Sequence, residues 1–126
     1  MPDPDKPVHL LVVDDDPTIL KTATLMLNTL GYSVETASTG AQGLELLAEN
    51  PHRFSFVLTD YSMPDMDGRE MVHKARELGE MPPFIIVSGY VLDEEDIAGD
   101  FIAYLLKPFR MKDLATTLTR LADRSS

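Results

Sequence analysis

Four largely apolar runs in this chain each lead into a residue with a reactive or charged side chain. The runs span 8–13, 54–59, 84–87 and 103–106, and the residues that follow them are Asp14, Asp60, Ser88 and Lys107. Continuous runs of Val, Ile, Leu and Phe of this length are typical of strands buried on both faces of a parallel sheet. Ligands bind in the crevice beyond the carboxyl ends of such strands. The pattern therefore predicts a polar site at one edge of one sheet.

Helical patterns alternate with these strands, and a further short strand is predicted over 32–37. The last helix is predicted over 111–122. The residues at helical spacing that we expect to face the core are Leu20, Ala23, Leu27 and Leu30, then Leu44, Leu47 and Ala48, then Met71, Val72, Ala75 and Leu78, and finally Leu114, Leu118 and Leu121. Five β-α units with short, right-handed connections favour an α/β fold with a doubly wound five-stranded parallel sheet.

Composition narrows the possible functions of the chain. A length of 126 residues predicts one domain, which we place at 8–122, with a disordered lead-in at 1–7 and a tail at 123–126. The net charge of −10 argues against binding to nucleic acid or to an anionic membrane surface. The chain has no cysteine, no membrane-spanning run and no signal peptide pattern at its start. We therefore expect a cytoplasmic protein.

Some of the aspartates are explained by local structure. Asp16 precedes Pro17 at a predicted helix start, where Asp is a favoured N-cap and Pro suits the first helical position. Asp67 and Glu70 fit the pattern of a capping box at the start of the predicted helix that contains Met71. Asp65 lies in a predicted turn, where Asp is common for local reasons.

Asp14, Asp15 and Asp60 are harder to explain as caps, because they lie at the ends of two strands that we expect to be neighbours. Two carboxylates about 5 Å apart repel by roughly 3 kcal/mol at an effective dielectric of about 20. Three together need a cation or protons, and Mg²⁺ is the hard ion that also binds phosphate oxygens. Any one of them alone would be read as a solvated loop acid. Lys107 can pair with a carboxylate and with a phosphoryl oxygen, and Ser88 offers a hydroxyl donor.

Together these motifs resemble the receiver domain of two-component response regulators. The resemblance covers about Val8 to Ala122 and rests on four segments: Val13-Asp14-Asp15-Asp16, the stretch from Asp60 through Met63-Pro64 to Asp67-Gly68, Val87-Ser88-Gly89, and Lys107-Pro108-Phe109. It implies a flavodoxin-like (βα)5 sheet of strand order 2-1-3-4-5. It also implies a phosphoacceptor signalling domain rather than a turnover enzyme.

The resemblance assigns roles to individual residues. Asp60 would be the phosphoacceptor, and its donor would be a phosphohistidine of a sensor histidine kinase or a histidine phosphotransfer domain. The Mg²⁺ ligands would be Asp14, Asp15, Asp60 and the backbone carbonyl of Ser62. The phosphoryl-binding and switch residues would be Ser88, Lys107 and Tyr104, with Gly68 and Pro108 structural. Pro108 also raises the chance of a cis peptide bond that aims the Lys107 side chain.

Two features depart from the family pattern. The stretch from Ser88 to Lys107 is shorter than usual, so the fourth helix, within 92–99, is expected to be short or irregular. This casts doubt on the interface that receivers commonly form with that helix, and the acidic run 93–96 opposes pairing of two copies. We therefore expect a monomer. Tyr90 is bulky at a position where side chains affect the access of water to an acyl phosphate.

Two rival functions remain to be weighed. Asp14-x-Asp16-x-Thr18 fits the motif of haloacid-dehalogenase-like phosphatases, in which Asp14 would be the nucleophile and Asp16 the general acid. That hypothesis leaves the Asp60 motif unexplained, and the chain lacks room for a cap domain. The other rival is an interaction module that no longer accepts phosphate, against which the presence of Asp60, Ser88 and Lys107 argues.

Overall fold

Five parallel strands form one sheet in the computed structural model, which describes residues 8–93 and 101–124, with side chains as far as Leu121. The elements are β1 (His9–Val13), α1 (Pro17–Thr29), β2 (Ser33–Ala37), α2 (Gly40–Glu49), a one-turn 3-10 helix (Pro51–Arg53), β3 (Phe56–Asp60), α3 (Gly68–Glu77), β4 (Phe84–Ser88), β5 (Ala103–Leu106) and α4 (Met111–Arg124). The strand order is β2-β1-β3-β4-β5, so the expected fold is confirmed.

Some expectations fall on parts of the chain outside the described residues. The short helix expected within 92–99 corresponds largely to residues 94–100, and the lead-in to residues 1–7. Within the described residues, no helix combines the length and the apolar character needed to cross a membrane.

The strands read as continuous apolar runs because both faces of the sheet are covered. Successive side chains of a strand point to opposite faces, and among residues 8–93 and 101–121 two helices pack against each face. One apolar layer joins the sheet to α1 and α4, and it includes Leu10, Val12, Leu27, Leu58, Val87, Leu114 and Leu118. The other layer joins it to α2 and α3, and it includes Leu11, Val13, Leu47, Val57, Met71, Val72 and Phe84. This packing holds the strand ends rigidly at one edge of the sheet.

Three residues lie in different surroundings from those expected. Ala48 is exposed, because the buried stripe of α2 runs through Gly40, Gly43 and Leu47. Leu78 is 55% exposed at the C-cap of α3, one residue past the end of the helix. Leu106 is 45% exposed, because β5 is an edge strand and is not buried on both faces as its apolar sequence suggested.

The expected helix caps at Asp16 and Asp67 are confirmed. The Asp16 carboxylate accepts a hydrogen bond from the Thr18 backbone N–H at 2.9 Å, at the start of α1. The Asp67 carboxylate accepts one from the Glu70 N–H at 2.8 Å, at the start of α3. Both side chains satisfy N–H groups that have no partner within the helix.

The start of α3 passes so close to the sheet that Gly68 has no room for a side chain. A Cβ atom on Gly68 would lie 2.7 Å from Cδ1 of Ile86 and 3.3 Å from the backbone oxygen of Asp60. The second contact is with backbone, which cannot turn aside as a side chain can. Gly68 therefore lets the helix lie directly against the end of β3.

We expect Gly68→Ala to lower the free energy of unfolding by about 1–3 kcal/mol, because inserting a methyl group into a packed contact forces strain. Urea unfolding followed by circular dichroism measures the effect. The control is Gly89→Ala, since a Cβ there has no heavy atom within 4 Å. Equal stability of the two variants would contradict this account of the contact.

Candidate functional site

Three carboxylates meet beyond the carboxyl ends of β1 and β3. Val13 pairs with Thr59 in the sheet register, so the residues that follow, Asp14 and Asp60, lie side by side. Asp14 is 3% exposed and Asp60 is 7% exposed, whereas Asp15 is open to solvent. One oxygen from each of the three carboxylates lies within 4.8 Å of the other two.

Lys107, which follows the edge strand β5, brings a positive charge to these carboxylates. Its Nζ atom donates a hydrogen bond to Oδ2 of Asp14 at 2.8 Å and lies 3.2 Å from Oδ1 of Asp60. The backbone N–H of Lys107 donates to the carbonyl of Ser88 at 2.7 Å, which continues the pairing of β4 with β5. The peptide bond between Lys107 and Pro108 is cis.

Burial and neighbouring charges both shift the pKa values of Asp60 and Lys107. Burial raises the pKa of Asp60 above its ordinary value, the Asp14 carboxylate adds to this rise, and Lys107 opposes it only in part. Burial alone would lower the pKa of the Lys107 ammonium, but Asp14 and Asp60 outweigh it, and the pKa of Lys107 is raised. The lysine therefore stays charged, while the Asp60 carboxylate carries an unfavourable negative charge.

The donor set fits a hard divalent cation. Three carboxylates face one ammonium, so the site has an excess of two negative charges. Its available ligand atoms are oxygens, which Mg²⁺ prefers, and the exposure of Asp15 leaves one side open to the water ligands that this ion usually keeps. Ser62 follows β3 by two residues and pairs with Asp67 across the β3–α3 loop.

Ser88 and Tyr104 share one acceptor, the backbone carbonyl of Tyr90. The Ser88 hydroxyl, which is buried, donates to this oxygen at 2.8 Å, and the Tyr104 hydroxyl donates to it at the same distance. The Tyr90 N–H in turn donates to Oγ of Ser88 at 3.2 Å. The two hydroxyls expected to form a switch are therefore linked through a third residue.

The Tyr90 side chain also connects to the loop that follows β3. Its hydroxyl lies 3.2 Å from Oγ of Ser62, and its ring meets the edge of Tyr61 with centroids 6.3 Å apart. The ring is nonetheless 53% exposed. The sequence flagged Tyr90 for its bulk, but it gave no sign of the two donors on its backbone carbonyl.

Asp65 has partners that the turn interpretation missed. Its Oδ1 accepts from the N–H of Gly40 at 3.2 Å and its Oδ2 from the N–H of Ala41 at 3.0 Å, both at the start of α2. Burial would raise the pKa of Asp65, but these backbone donors, with the N–H groups of Asp65 and Met66, outweigh it and lower the pKa. The carboxylate is therefore held charged by N–H groups of α2 as well as by those of its own turn.

The chain matches known proteins along nearly its whole length. A family model described as the response regulator receiver domain matches residues 10–119. The chain therefore belongs to the response regulator receiver domain family, and it is a receiver domain of two-component systems.

Individual relatives agree with this assignment. The chain is 37% identical over 123 residues to the response regulator MprA of Mycobacterium sp. (strain KMS), across 95% of this chain and 53% of MprA. It is 31% identical over 118 residues to the sensor kinase CckA of Brucella abortus (strain 2308), across 91% of this chain and 12% of CckA. The chain thus spans about half the length of the first relative and a small part of the second.

A solved structure supports the fold assignment. The receiver domain protein (CheY-like) of Methanospirillum hungatei JF-1 superposes with a TM-score of 0.82 and 34% identity, across 94% of this chain and 95% of that one. Neither the family match nor these relatives support the phosphatase alternative. In addition, the Asp16 carboxylate, which would be the phosphatase general acid, caps α1.

We expect Asp60→Asn to stabilise the protein when divalent cations are absent. Because the pKa of Asp60 is raised on folding, its charge opposes folding above that pKa and has no effect below the ordinary value of 3.8. A gain of about 1 kcal/mol would raise the melting temperature by roughly 4 °C. Thermal melts in a chelator from pH 7 down to pH 3.5 should show this gain shrinking as the pH falls.

The matched control is Glu45→Gln, which removes a charge from an exposed position of α2. It should leave the melting temperature nearly unchanged at every pH. If Asp60→Asn lowers the melting temperature at pH 7, the Asp60 carboxylate is a net stabilising group, and our account of the site's electrostatics is wrong.

Proposed function

We propose that Asp60 accepts a phosphoryl group from a phosphohistidine of a sensor histidine kinase or a histidine phosphotransfer domain. The observation that carries the proposal is the contact of one ammonium, that of Lys107, with both Asp14 and Asp60 at the end of the central strand. A structural ion pair needs only one carboxylate. Here Lys107 contacts two carboxylates, and the exposed Asp15 adds a third, so the site lacks positive charge. A metal ion that binds there with a phosphoryl group would supply that charge.

The proposed Mg²⁺ ligands are Asp14, Asp15, Asp60 and the backbone carbonyl of Ser62. When bound, Mg²⁺ would neutralise charge on the transferred group and on the carboxylates around it. The donor set tested above supports this ion, since it offers only oxygens and carries excess negative charge.

The chain's own residues supply the nucleophile and a fixed cation. An oxygen of the Asp60 carboxylate attacks phosphorus, the N–P bond of the phosphohistidine breaks, and the imidazole leaves with the bonding electrons. Lys107 is charged and already within 3.2 Å of Asp60, so it can follow the incoming group with little reorganisation. The product is an acyl phosphate on Asp60.

The Ser88 hydroxyl is the proposed reporter of phosphorylation. It now donates to the neutral carbonyl of Tyr90, and a phosphoryl oxygen would be a stronger, charged acceptor. Its departure would leave Tyr104 as the remaining side-chain donor on that carbonyl, and the Tyr104 ring could then enter the vacated space. A shift of this kind needs only a few kcal/mol of differential affinity.

The proposal extends to the setting of the domain. We place it in the cytoplasm, where a kinase can reach it, and we expect it to act as a monomer that contacts its phosphodonor transiently. The acidic run 93–96 supports the monomer, since a two-fold interface would bring each acid near its own copy.

We expect acetyl phosphate with Mg²⁺ to phosphorylate the wild type and not Asp60→Asn. Intact mass detects the added group, and borohydride trapping followed by peptide mapping locates it. A chelator should abolish the reaction. A label on Asp14 would support the phosphatase hypothesis instead, and equal labelling of Asp60→Asn at another acid would exclude Asp60 as the phosphoacceptor.

We expect Ser88→Ala to keep phosphate acceptance but to lose the signal sent to Tyr104. With beryllofluoride and Mg²⁺, the amide NMR signals of Tyr104 and Leu105 should shift in the wild type and in the control variant Ser55→Ala. They should shift much less in Ser88→Ala, because the hydroxyl that leaves Tyr90 is missing. A full shift in Ser88→Ala would show that the coupling runs through other residues.

A further inference from the structure

The start of α2 is capped from two directions. The first N–H groups of a helix have no partner within the helix and must find acceptors elsewhere. Here Oγ of Thr39 accepts from the N–H of Gln42 at 3.0 Å, which is an ordinary N-cap. The N–H groups of Gly40 and Ala41 go to Asp65, a residue 24–25 positions further along the chain. Two of these three capping bonds therefore come from the β3–α3 loop.

The base of that loop is tied to the sheet and to α3. The N–H of Tyr61 donates to the Val87 carbonyl at 2.8 Å, and the N–H of Gly68 donates to the Tyr61 carbonyl at 2.7 Å. Ser62 and Asp67 form an antiparallel bridge across the loop. Asp65 lies at the tip of the loop, beyond this bridge. Its bonds to α2 fix the end of the loop that these base contacts do not reach.

The loop tip also touches α2 through an apolar contact. A Cβ on Gly40 would lie 2.5 Å from Cγ of Met66, so the absence of a side chain at Gly40 lets the loop approach the helix. Met63, on the other side of the tip, is buried in the apolar layer beneath α2 and α3. The tip is thus held by two methionines and one carboxylate, and only the carboxylate is directional.

Asp65 is not itself placed to bind a cation. Each of its two oxygens already accepts a backbone N–H of α2, and it does not belong to the group of carboxylates that converge on Asp60. Its importance to the site would therefore be indirect. It lies three residues after Ser62, in the same short loop.

We propose that Asp65 is a positioning residue for the metal site, acting through the loop that carries Ser62. By fastening the loop tip to α2, it would keep the Ser62 carbonyl aimed at the space between Asp14 and Asp60 before a cation arrives. Partners that orient a metal ligand commonly change affinity by 10–100-fold when they are removed. This inference rests on the proposed function, because it takes the Ser62 carbonyl to be a Mg²⁺ ligand.

The test compares two variants that weaken the same helix end. Asp65→Ala removes the two bonds from the loop, and Thr39→Ala removes the bond from the ordinary N-cap, a change that costs about 1 kcal/mol of stability. Only the first variant releases the loop. Calorimetric titration with Mg²⁺ gives the dissociation constant of each variant, and thermal melts in a chelator give the stability without metal.

We expect Asp65→Ala to weaken Mg²⁺ binding by about tenfold, while Thr39→Ala binds as the wild type does. Asp65→Asn, which keeps one good acceptor for these N–H groups, should lie between Asp65→Ala and the wild type. It also serves as the reporting variant if Asp65→Ala does not fold. Amide NMR signals of Gly40 and Ala41 should shift in both Asp65 variants before any metal is added.

The possible failures can be told apart. Wild-type affinity in both Asp65 variants would overturn the positioning role, as would an equal loss of affinity in Thr39→Ala, which would make the effect one of general helix stability. Asp15→Ala is the control that should remove binding itself. If the wild type does not bind Mg²⁺ at all, the proposed function fails, and the role of Asp65 in it fails too.

Discussion

The contact of Lys107 with two buried carboxylates is the interaction on which the site depends. It joins residues 93 positions apart and links the end of β5 to the ends of β1 and β3. In the sheet, β4 and β3 lie between β5 and β1, a separation of about 14 Å at 4.8 Å per strand. The contact therefore exists only if β1, β3, β4 and β5 are correctly ordered and end at the same edge of the sheet.

The ion pair also explains why the acid cluster can be tolerated in a folded domain. Removing one partner from a buried charge pair costs far more than the pair itself contributes, because the remaining charge is left unpaired. Lys107 pairs with the buried charge of Asp14 and partly balances that of Asp60. The Asp15 carboxylate is exposed and is solvated by water. The protein thus folds with a site whose negative charge is only partly neutralised. The remaining negative charge favours the binding of a cation.

The sequence could predict this convergence because it follows from strand ends alone. The strands β1, β3 and β4 are buried on both faces. Slipping the register of such a strand by one residue would exchange the faces of all its side chains, so the register is tightly specified. Val13 pairs with Thr59, Asp60 with Val87, and Ser88 with Leu106. Asp14, Asp60, Ser88 and Lys107 then each lie at a strand terminus or one position beyond it. No knowledge of the loops is needed to bring them together.

Contacts made by loops and element ends could not be predicted in the same way. The shared carbonyl of Tyr90 and the bonds from Asp65 to α2 join segments whose geometry has no repeat in the sequence. The local sequence predicts a turn residue at Asp65 and is sufficient to explain it. The helical repeat predicts Leu78 on the inner face only when it is continued one residue beyond the end of α3. In each case the residue lies outside the periodic pattern of a helix or strand.

Because Ser88 and Tyr104 share the Tyr90 carbonyl as acceptor, the proposed change of the Ser88 hydrogen bond costs little free energy. If Ser88 were the only donor to the Tyr90 carbonyl, its departure would leave an unsatisfied acceptor, at a cost of about 1–3 kcal/mol were that oxygen buried. Here Tyr104 still donates to the same oxygen as Ser88 leaves, and Tyr90 lies partly in solvent, where water can replace either hydroxyl when it moves. In the proposed phosphorylated state with Mg²⁺ bound, the site would again carry more negative charge than Lys107 alone balances. The neutral Tyr90 carbonyl would then compete poorly with the charged phosphoryl oxygen for the Ser88 hydroxyl.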